Sequence, residues 1–287
     1  MNNIQTPEKV AIVTGSSSGI GLETAIHLSK NGFKTYATMR NLGKSEAIKS
    51  RSENLPIEIL QLDVIDDASV HEAIQEVIRK EGRIDLLVNN AGYALMGAAE
   101  DLGIDEVQKQ FDTNFYGIIR TIKEVLPTMR KQKSGSIVNI SSAIGFGGMP
   151  LMSAYASTKF AMEGYTESLK SEVAPFGIHA ILVEPGVIKT DVISASPFAK
   201  KALEPTSAYS ELTQKMGEIM KSLYENCSSP SVVAEVVLKA ATSDNPQTRY
   251  QAGPDSEMLF KERRQKSDEE YEKLLQGFFL PPVAEVK

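Results

Sequence analysis

The stretch KVAIVTGSSSGIG, Lys9 to Gly21, decides the fold. Its first half is a short, nearly continuous apolar run, the pattern of a strand buried on both faces. Its second half, TGSSSGIG, places Gly15, Gly19 and Gly21 in a turn that permits close backbone approach. A helical pattern over about 20–31 follows. The N–H groups of that helix's first turn therefore face whatever lies against the glycines, a geometry suited to a pyrophosphate. A glycine-rich turn alone is only a turn; the strand before it and the helix after it give it meaning.

Working outward, the same alternation repeats. Strand-like runs stand at 9–14, 34–39, 57–64, 84–90, 136–141 and 179–184. Between them lie helical patterns at about 20–31, 44–53, 66–81, 104–112, 115–132 and 153–174. Strand and helix in strict alternation imply right-handed crossovers, so the fold class is α/β, a Rossmann-type doubly wound parallel sheet. After VEPG the rhythm breaks. Residues 190–225 form a long, partly amphipathic stretch, followed by a helix at 230–242, a short strand at 247–252 and a helix at 255–276. Ligands of doubly wound sheets bind beyond the carboxyl ends of the strands, so 190–225 is expected to be a helical lid, with 254–287 a C-terminal extension. No linker, repeat or low-complexity tract interrupts the 287 residues, which read as one domain over 1–287.

Composition narrows the function classes. A net charge of −6 argues against a polyanionic partner, so nucleic acid is not expected. The single cysteine, Cys227, excludes an internal disulfide and a cysteine-rich metal site. No run of 18 apolar residues occurs, and MNNIQTPEKV lacks a basic segment followed by an apolar one. A soluble, cytoplasmic protein without a membrane span is the expectation.

A second stretch carries chemistry. SAYASTK, Ser153 to Lys159, sits on a helical pattern, and 3.6 residues per turn puts Tyr155 and Lys159 on one face. With nine tyrosines in the chain the pair proves nothing alone. Its company decides: TGSSSGIG, NNAG at 89–92, Asn114, a serine thirteen residues before Tyr155, the Tyr155–Lys159 pair and PGVIKT at 185–190 follow in order. Together they resemble the short-chain dehydrogenase/reductase superfamily over about residues 8–253, and RYQAGPDSEML at 249–259 looks like the ending of hydroxysteroid and retinoid dehydrogenase members.

The resemblance implies a set of roles. Tyr155 is the expected acid or base, and a phenol with pKa near 10 needs a neighbouring cation to work at neutral pH. Lys159 would supply that charge and hold the nicotinamide ribose. Ser142 would bond the substrate oxygen and stabilise charge developing there, with Ser141 its competitor. Asn114 would hold a water beside the lysine; as an isolated residue it would read as a helix cap. For the cofactor, Gly15, Ser17, Ser18, Gly19, Ile20 and Gly21 form the phosphate turn. Asn90, Ala91 and Gly92 line the ribose and steady the sheet. Asp63 and Val64 contact the adenine, unless Asp63 is only a helix cap. Val187 and Thr190 would fix the carboxamide, with Pro185 and Gly186 beside them as cofactor-binding residues, although Thr190 could equally cap the lid helix.

The end of the second strand bears on cofactor choice. Where an NAD enzyme usually places a carboxylate stands Met39, followed by Arg40, whose guanidinium pairs well with a 2′-phosphate. The expected cofactor is NADP(H). Ser18 departs from this pattern, since many NADP-using members carry a basic residue there. YALMG at 93–97, GFGGMPLM at 145–152, and Val192, Phe198, Leu203 and Met216 of the lid suggest a roomy apolar pocket. The expected activity is NADP(H)-dependent interconversion of a carbonyl and an alcohol, by reduction of an apolar ketone or aldehyde of steroid, retinoid or long-chain type. A homodimer or homotetramer is expected through the helices at 115–132 and 153–174, with Phe160, Met162 and Tyr165 as apolar candidates.

The chain also admits two other readings. GSSSG also satisfies G-x-S-x-G, with Ser17 as a hydrolase nucleophile, but the histidines are His27, His71 and His179, and none follows 179. The same count removes an H-E-x-x-H site, so no metal is implied. A non-catalytic NADP(H)-binding sensor or scaffold of the same fold is the remaining alternative, and loss of Tyr155 or Lys159 would be its mark.

Overall fold

A computed structural model describes residues 9–190 and 197–279. The strands are β1 (Lys9–Val13), β2 (Phe33–Met39), β3 (Ile57–Gln61), β4 (Leu86–Asn89), β5 (Gly135–Ile140), β6 (Ile178–Pro185) and β7 (Arg249–Ala252). They form one sheet in the order β3-β2-β1-β4-β5-β6-β7, with every neighbouring pair parallel. Ala11 pairs with Thr35 on one side and with Leu86 on the other. The chain winds outward from β1 to β3 and then resumes at β4, so the order reverses between β1 and β4. That switch point opens a crevice at the carboxyl ends of the strands.

The continuous apolar runs follow from burial on both faces. Val10, Ile12, Leu87 and Ile137 point to one face, where they meet α3 (Asp67–Glu81), α5 (Gly117–Gln132) and α6 (Ser153–Val173) through Ile74, Ile122 and Met162. Ala11, Val13, Leu86 and Val138 point to the other, against α1 (Gly19–Lys30), α2 (Glu46–Arg51) and the later helix α8 (Pro230–Thr242) through Leu28, Ile48 and Val237. Each fully buried Leu or Ile contributes about 1.5–3 kcal/mol, so neither face can be exposed by a register slip.

Three boundaries differ from the sequence reading. The two helices expected at 104–112 and 115–132 are one rod: α4 (Ile104–Phe111) runs through a π-helical turn, Asp112–Tyr116, into α5. Asp112 and Gly117 both keep right-handed helical dihedrals, so the chain widens without breaking. The helix expected at 255–276 is two, α9 (Pro254–Gln265) and α10 (Asp268–Phe279). Lys266 is extended, and Ser267 and Glu270 cap α10 reciprocally, Ser267 N donating to Glu270 Oε2 at 2.8 Å and Glu270 N to Ser267 Oγ at 3.3 Å. Finally, β3 ends at Gln61, leaving Asp63 and Val64 in the loop beyond it.

The segment expected as a lid contains α7 (Ser210–Glu225). Its Met216 packs with Ala98, Leu151, Tyr271 and Leu275, under the C-terminal helices. Leu203, offered as a pocket residue, is instead 66% exposed, and Val192 lies outside the described residues. No helix among the described residues is long and apolar enough to cross a membrane.

Candidate active site

The carboxyl ends of β1, β4, β5 and β6 converge on one crevice. Beyond β1, Gly15 and Gly19 adopt φ of +69° and +57°, left-handed conformations that cost little only for glycine. Ser18 is the N-cap of α1 but makes no side-chain cap bond, and the first turn holds no acidic residue. The N–H groups there are left for an anion, which is what a phosphate turn requires. Ser17, Ser18 and Ile20 are half-buried around it, Ile20 packed on the core.

Asn90 and Ala91 brace this turn from the end of β4. Both backbone N–H groups donate to Thr14 Oγ1 at 3.0 Å, and Asn90 Nδ2 donates to Thr14 O at 2.9 Å and Gly15 O at 3.1 Å. A side chain on Gly21 would collide with Asn90 Nδ2, so the close approach demands glycine at 21. Gly92 sits against Asn114 in the same way, 3.1 Å separating Asn114 Oδ1 from where a Cβ would stand.

The loop after β6 closes the opposite wall. Thr190 Cγ2 lies 3.0 Å from the position of a Cβ on Gly19. Gly186 N bonds Ala252 O at 3.1 Å, Val187 O accepts from Ser228 N at 3.2 Å, and Val187 N donates to Asp255 Oδ2 at 2.6 Å. Asp255 was not anticipated. Pro254 and an acidic first turn mark the start of α9 in the sequence, but nothing local shows that this carboxylate reaches back 68 residues. Thr190 O accepts from Tyr224 Oη of α7 at 3.3 Å, which ties the lid helix to this loop.

Around the far end of the crevice, Asp63 makes an Asx turn, Oδ1 accepting from Ile65 N at 3.2 Å, while its own N–H donates to Ser69 Oγ at 3.0 Å. The cap of α3 is Asp66, so Asp63 is free of that duty. Val64 is buried where α5 begins at Gly117. Arg40 is exposed, its carbonyl accepting from Gln61 Nε2 at 3.2 Å, and no ion pair among the described residues engages its guanidinium. Met39 is buried in the core. The turn, the uncapped helix and the uncommitted guanidinium fit a phosphorylated dinucleotide.

Tyr155 and Lys159 face this crevice from α6. Lys159 Nζ lies 5.5 Å from the Tyr155 ring centre and donates to Ile140 O at 2.7 Å. Burial pushes the Tyr155 phenol up to about 12, opposed by its hydrogen bond with Ser142. Burial pushes Lys159 down to about 8, opposed by the charge of Glu163. Burial thus outweighs the acidifying influence expected of Lys159 on the phenol. The strand end brings Ser142 to Tyr155; Ser141 continues the β5 ladder, its N–H bonded to Val183 O at 2.7 Å.

Asn114 is buried in the π-helical turn rather than capping a helix end. Its Nδ2 donates to Tyr93 O at 2.8 Å and to Thr158 Oγ1 at 3.3 Å, and its Oδ1 accepts from Tyr93 N at 3.1 Å. A second polar layer lies below. Asn89 Nδ2 donates to Asn139 Oδ1 at 2.8 Å, Thr121 Oγ1 to Asn89 Oδ1 at 2.7 Å, and Asn139 Nδ2 to Thr166 Oγ1 at 2.9 Å. This buried chain joins α5, β4, β5 and α6 and fixes the helix that presents Tyr155.

On the outer side of Tyr155 the surroundings are apolar. Ala94, Met96 and Met152 form a buried cluster with Ile144, Met149, Tyr155 and Phe198 packed on it. Residues 197–199 run along the YALMG segment, Met96 N bonding Pro197 O at 3.0 Å and Ala199 N bonding Met96 O at 2.7 Å.

Comparison with known proteins bears on the family and the fold. The family model described as short chain dehydrogenase matches residues 9–200. A 3-ketodihydrosphingosine reductase of Bacteroides thetaiotaomicron is 35% identical, covering 88% of this chain and 90% of its own length. Retinol dehydrogenase 8 of Bos taurus is also 35% identical, over 84% of this chain and 80% of its own. Among solved structures, a short-chain dehydrogenase from Streptomyces avermitilis superposes with a TM-score of 0.81 at 31% identity, covering 95% of this chain and 99% of that one. ElxO with NADP bound gives a TM-score of 0.71 at 30% identity, covering 85% and 97%. Fold, motif order and sequence agree, and the chain belongs to the short-chain dehydrogenase family of oxidoreductases.

Proposed function

We propose that this protein is an NADP(H)-dependent reductase of apolar ketones or aldehydes, steroid-, retinoid- or long-chain-like. The observation that carries the reading is the meeting of Tyr155, Ser142 and Lys159 at one strand end, with the apolar cluster of Met96, Met152 and Phe198 beside the phenol. A nicotinamide held in this crevice would supply the hydride that reduces the carbonyl carbon. Tyr155 would give its proton to the carbonyl oxygen, so that C=O becomes CH–OH. Ser142 bonds that oxygen as charge builds on it. Lys159 stabilises the phenolate left behind and holds the ribose, and Asn114 keeps the proton route beside the lysine. Arg40 takes the 2′-phosphate, the 15–21 turn the pyrophosphate, Asp63 and Val64 the adenine, and the 185–190 loop the carboxamide.

Two further observations support the substrate class and the cofactor. The hydrophobic side chains packed around Tyr155 include Met96, Met152 and Phe198, which offer a hydroxylated sugar no partners. The named relatives act on a long-chain ketone and on retinol, and ElxO binds NADP. The test is loss of NADPH absorbance at 340 nm with a long-chain ketone, retinal and a polar sugar ketone in parallel. Turnover of the apolar carbonyls with higher kcat/KM is expected. NADPH binding without turnover of any carbonyl would favour the sensor reading, and preference for the sugar would overturn the substrate class.

We also propose that the chain works as a homo-oligomer in the cytoplasm. Of the apolar candidates on α6, Met162 is core and Tyr165 packs edge-on against Phe115, leaving Phe160, 48% exposed, to face a partner together with Tyr116. Light scattering should give at least a dimer at micromolar concentration, and Phe160→Glu should shift it toward monomer.

A further inference from the structure

One guanidinium ties the loop beyond β3 to the π-helical turn, and the proposed reaction gives it no part. Arg120 lies in the first turn of α5 with its side chain 24% exposed. Its Nη1 donates to Val64 O at 3.2 Å and to Asp112 O at 3.3 Å. Nη2 pairs with Asp112 Oδ1 at 2.8 Å, and Nε with Asp67 Oδ1 at 2.6 Å. One planar group thus gathers four acceptors from three segments: the loop that carries Asp63 and Val64, the start of α3, and the turn that carries Asn114.

The loop and α5 meet only because residue 117 is glycine. A Cβ there would stand 2.8 Å from Val64 Cβ and 3.2 Å from Val64 O. Gly117 and Arg120, three apart, share one face of the helix, so α5 offers Val64 a bare backbone to rest on and a cation for its carbonyl. The other bonds of the loop are made nearby. Leu62 N donates to Met39 O at 3.1 Å, Asp63 N to Ser69 Oγ at 3.0 Å, Ile65 N to Asp63 Oδ1 at 3.2 Å and Asp66 N to Asp63 O at 3.1 Å. These shape the loop and tie its base to β2. Among the described residues no backbone N–H reaches the Val64 carbonyl, so Arg120 is what fastens the tip.

We infer that Arg120 is a positioning residue for the dinucleotide: by bonding the Val64 carbonyl against the π-helical turn, it fixes the adenine side of the crevice before the cofactor arrives. The inference rests on the proposed seat of the adenine at Asp63 and Val64. A loop already ordered in the free protein spares binding the cost of ordering it, so a residue away from the ligand raises affinity. Asn114 keeps its own bonds to Tyr93 and Thr158, so the effect falls on cofactor affinity rather than on proton transfer.

Two measurements test it. The first needs no ligand: amide hydrogen exchange over residues 62–66 should quicken in Arg120→Met, and should stay as in the wild type in Asp67→Asn, which breaks only the pair with an 86% exposed carboxylate. The second compares NADPH with reduced nicotinamide mononucleotide, which lacks the adenosine. Arg120→Met should bind NADPH roughly tenfold more weakly, equivalent to the ordering of about one residue, with mononucleotide affinity unchanged. In turnover the KM for NADPH should rise and kcat should hold. Arg120→Lys keeps the charge but cannot span four acceptors, so it should show the same split. Equal weakening of both nucleotides, an unmoved NADPH affinity, or unquickened exchange in a folded Arg120 variant overturns the inference. Should Arg120→Met fail to fold, Arg120→Lys decides by the same two measurements. A wild type that binds no nicotinamide nucleotide would count against the proposed function instead, and the exchange result would stand on its own.

Discussion

Lys159 stands one helical turn from Tyr155, its Nζ 5.5 Å from the phenol ring centre and bonded to the Ile140 carbonyl at 2.7 Å. The lysine is therefore anchored by the sheet rather than by solvent, and its charge is presented to the ring at a fixed distance. Tyr155 keeps its proton through neutral pH, being pushed up to about 12, which suits a donor in carbonyl reduction. Replacing Tyr155 by Phe removes only the transferable proton and leaves the ring packed against Met152. Turnover should fall by the ~10²–10⁴ typical of a general acid, with NADPH affinity unchanged by fluorescence titration. Near wild-type kcat in that variant would refute the assignment.

The pH profile follows from the lysine. Burial lowers Lys159 to about 8, so the ammonium is complete below that pH and is lost above it. Without the ammonium, phenolate left by proton transfer loses its stabilising charge, so kcat/KM for reduction should decline as pH rises through about 8. A limb found instead near 10.5, the ordinary lysine value, would show that the charge is held by something stronger than the pull of burial.

The Asn89–Asn139 bond makes a structural prediction. Asn89→Ala strips partners from Asn139 and Thr121, both fully buried, and an unsatisfied buried group costs about 1–3 kcal/mol. Urea denaturation should show a lower midpoint with the same slope. If instead stability holds and only kcat falls, the layer serves the chemistry directly rather than the placement of α6.

These residues show what the sequence could and could not disclose. The glycine turn and the Tyr155–Lys159 pair are local, written in spacings of one turn of chain, and the alternation of Ala11 and Val13 against Val10 and Ile12 is visible in any strand buried twice. The Ser267–Glu270 capping box was equally local, yet the helical period on both sides of it masked the break. The π-helical turn left no mark, because its residues keep helical dihedrals. The Asp255–Val187 bond and the Arg249–Glu163 pair join residues 68 and 86 apart, and only the fold brings them together.

Among the described residues, Asp255 is the one carboxylate bonded to the backbone of the 185–190 loop. Its bond to Val187 N is charge-assisted and worth about 1.5–3 kcal/mol in general, but loop relaxation will absorb part of that. Asp255→Asn should keep the fold and weaken NADPH binding several-fold, with a smaller change in KM for the carbonyl. Unchanged cofactor affinity would mean that the loop is held by Ser228 and Ala252 alone.

In the proposed function, cofactor choice rests on Arg40. Its guanidinium is exposed at the end of β2 with no carboxylate partner among the described residues, so binding a 2′-phosphate breaks no existing ion pair. Charge-assisted bonds of about 1.5–3 kcal/mol correspond to roughly a ten- to hundredfold preference for NADPH over NADH. Arg40→Leu should remove most of that preference while leaving NADH affinity as it was. The single substitution is the clean one: Met39 is 2% exposed within the core, so an aspartate there would bury a carboxylate and confound cofactor choice with stability. Because Arg40 is exposed, salt screens the contact, and the NADPH dissociation constant should rise with ionic strength in the wild type and much less in Arg40→Leu. Wild-type protein binding NADH as tightly as NADPH would defeat the assignment. The uncharged Ser18, at the position where many NADP-using members carry a basic residue, would then be the reason.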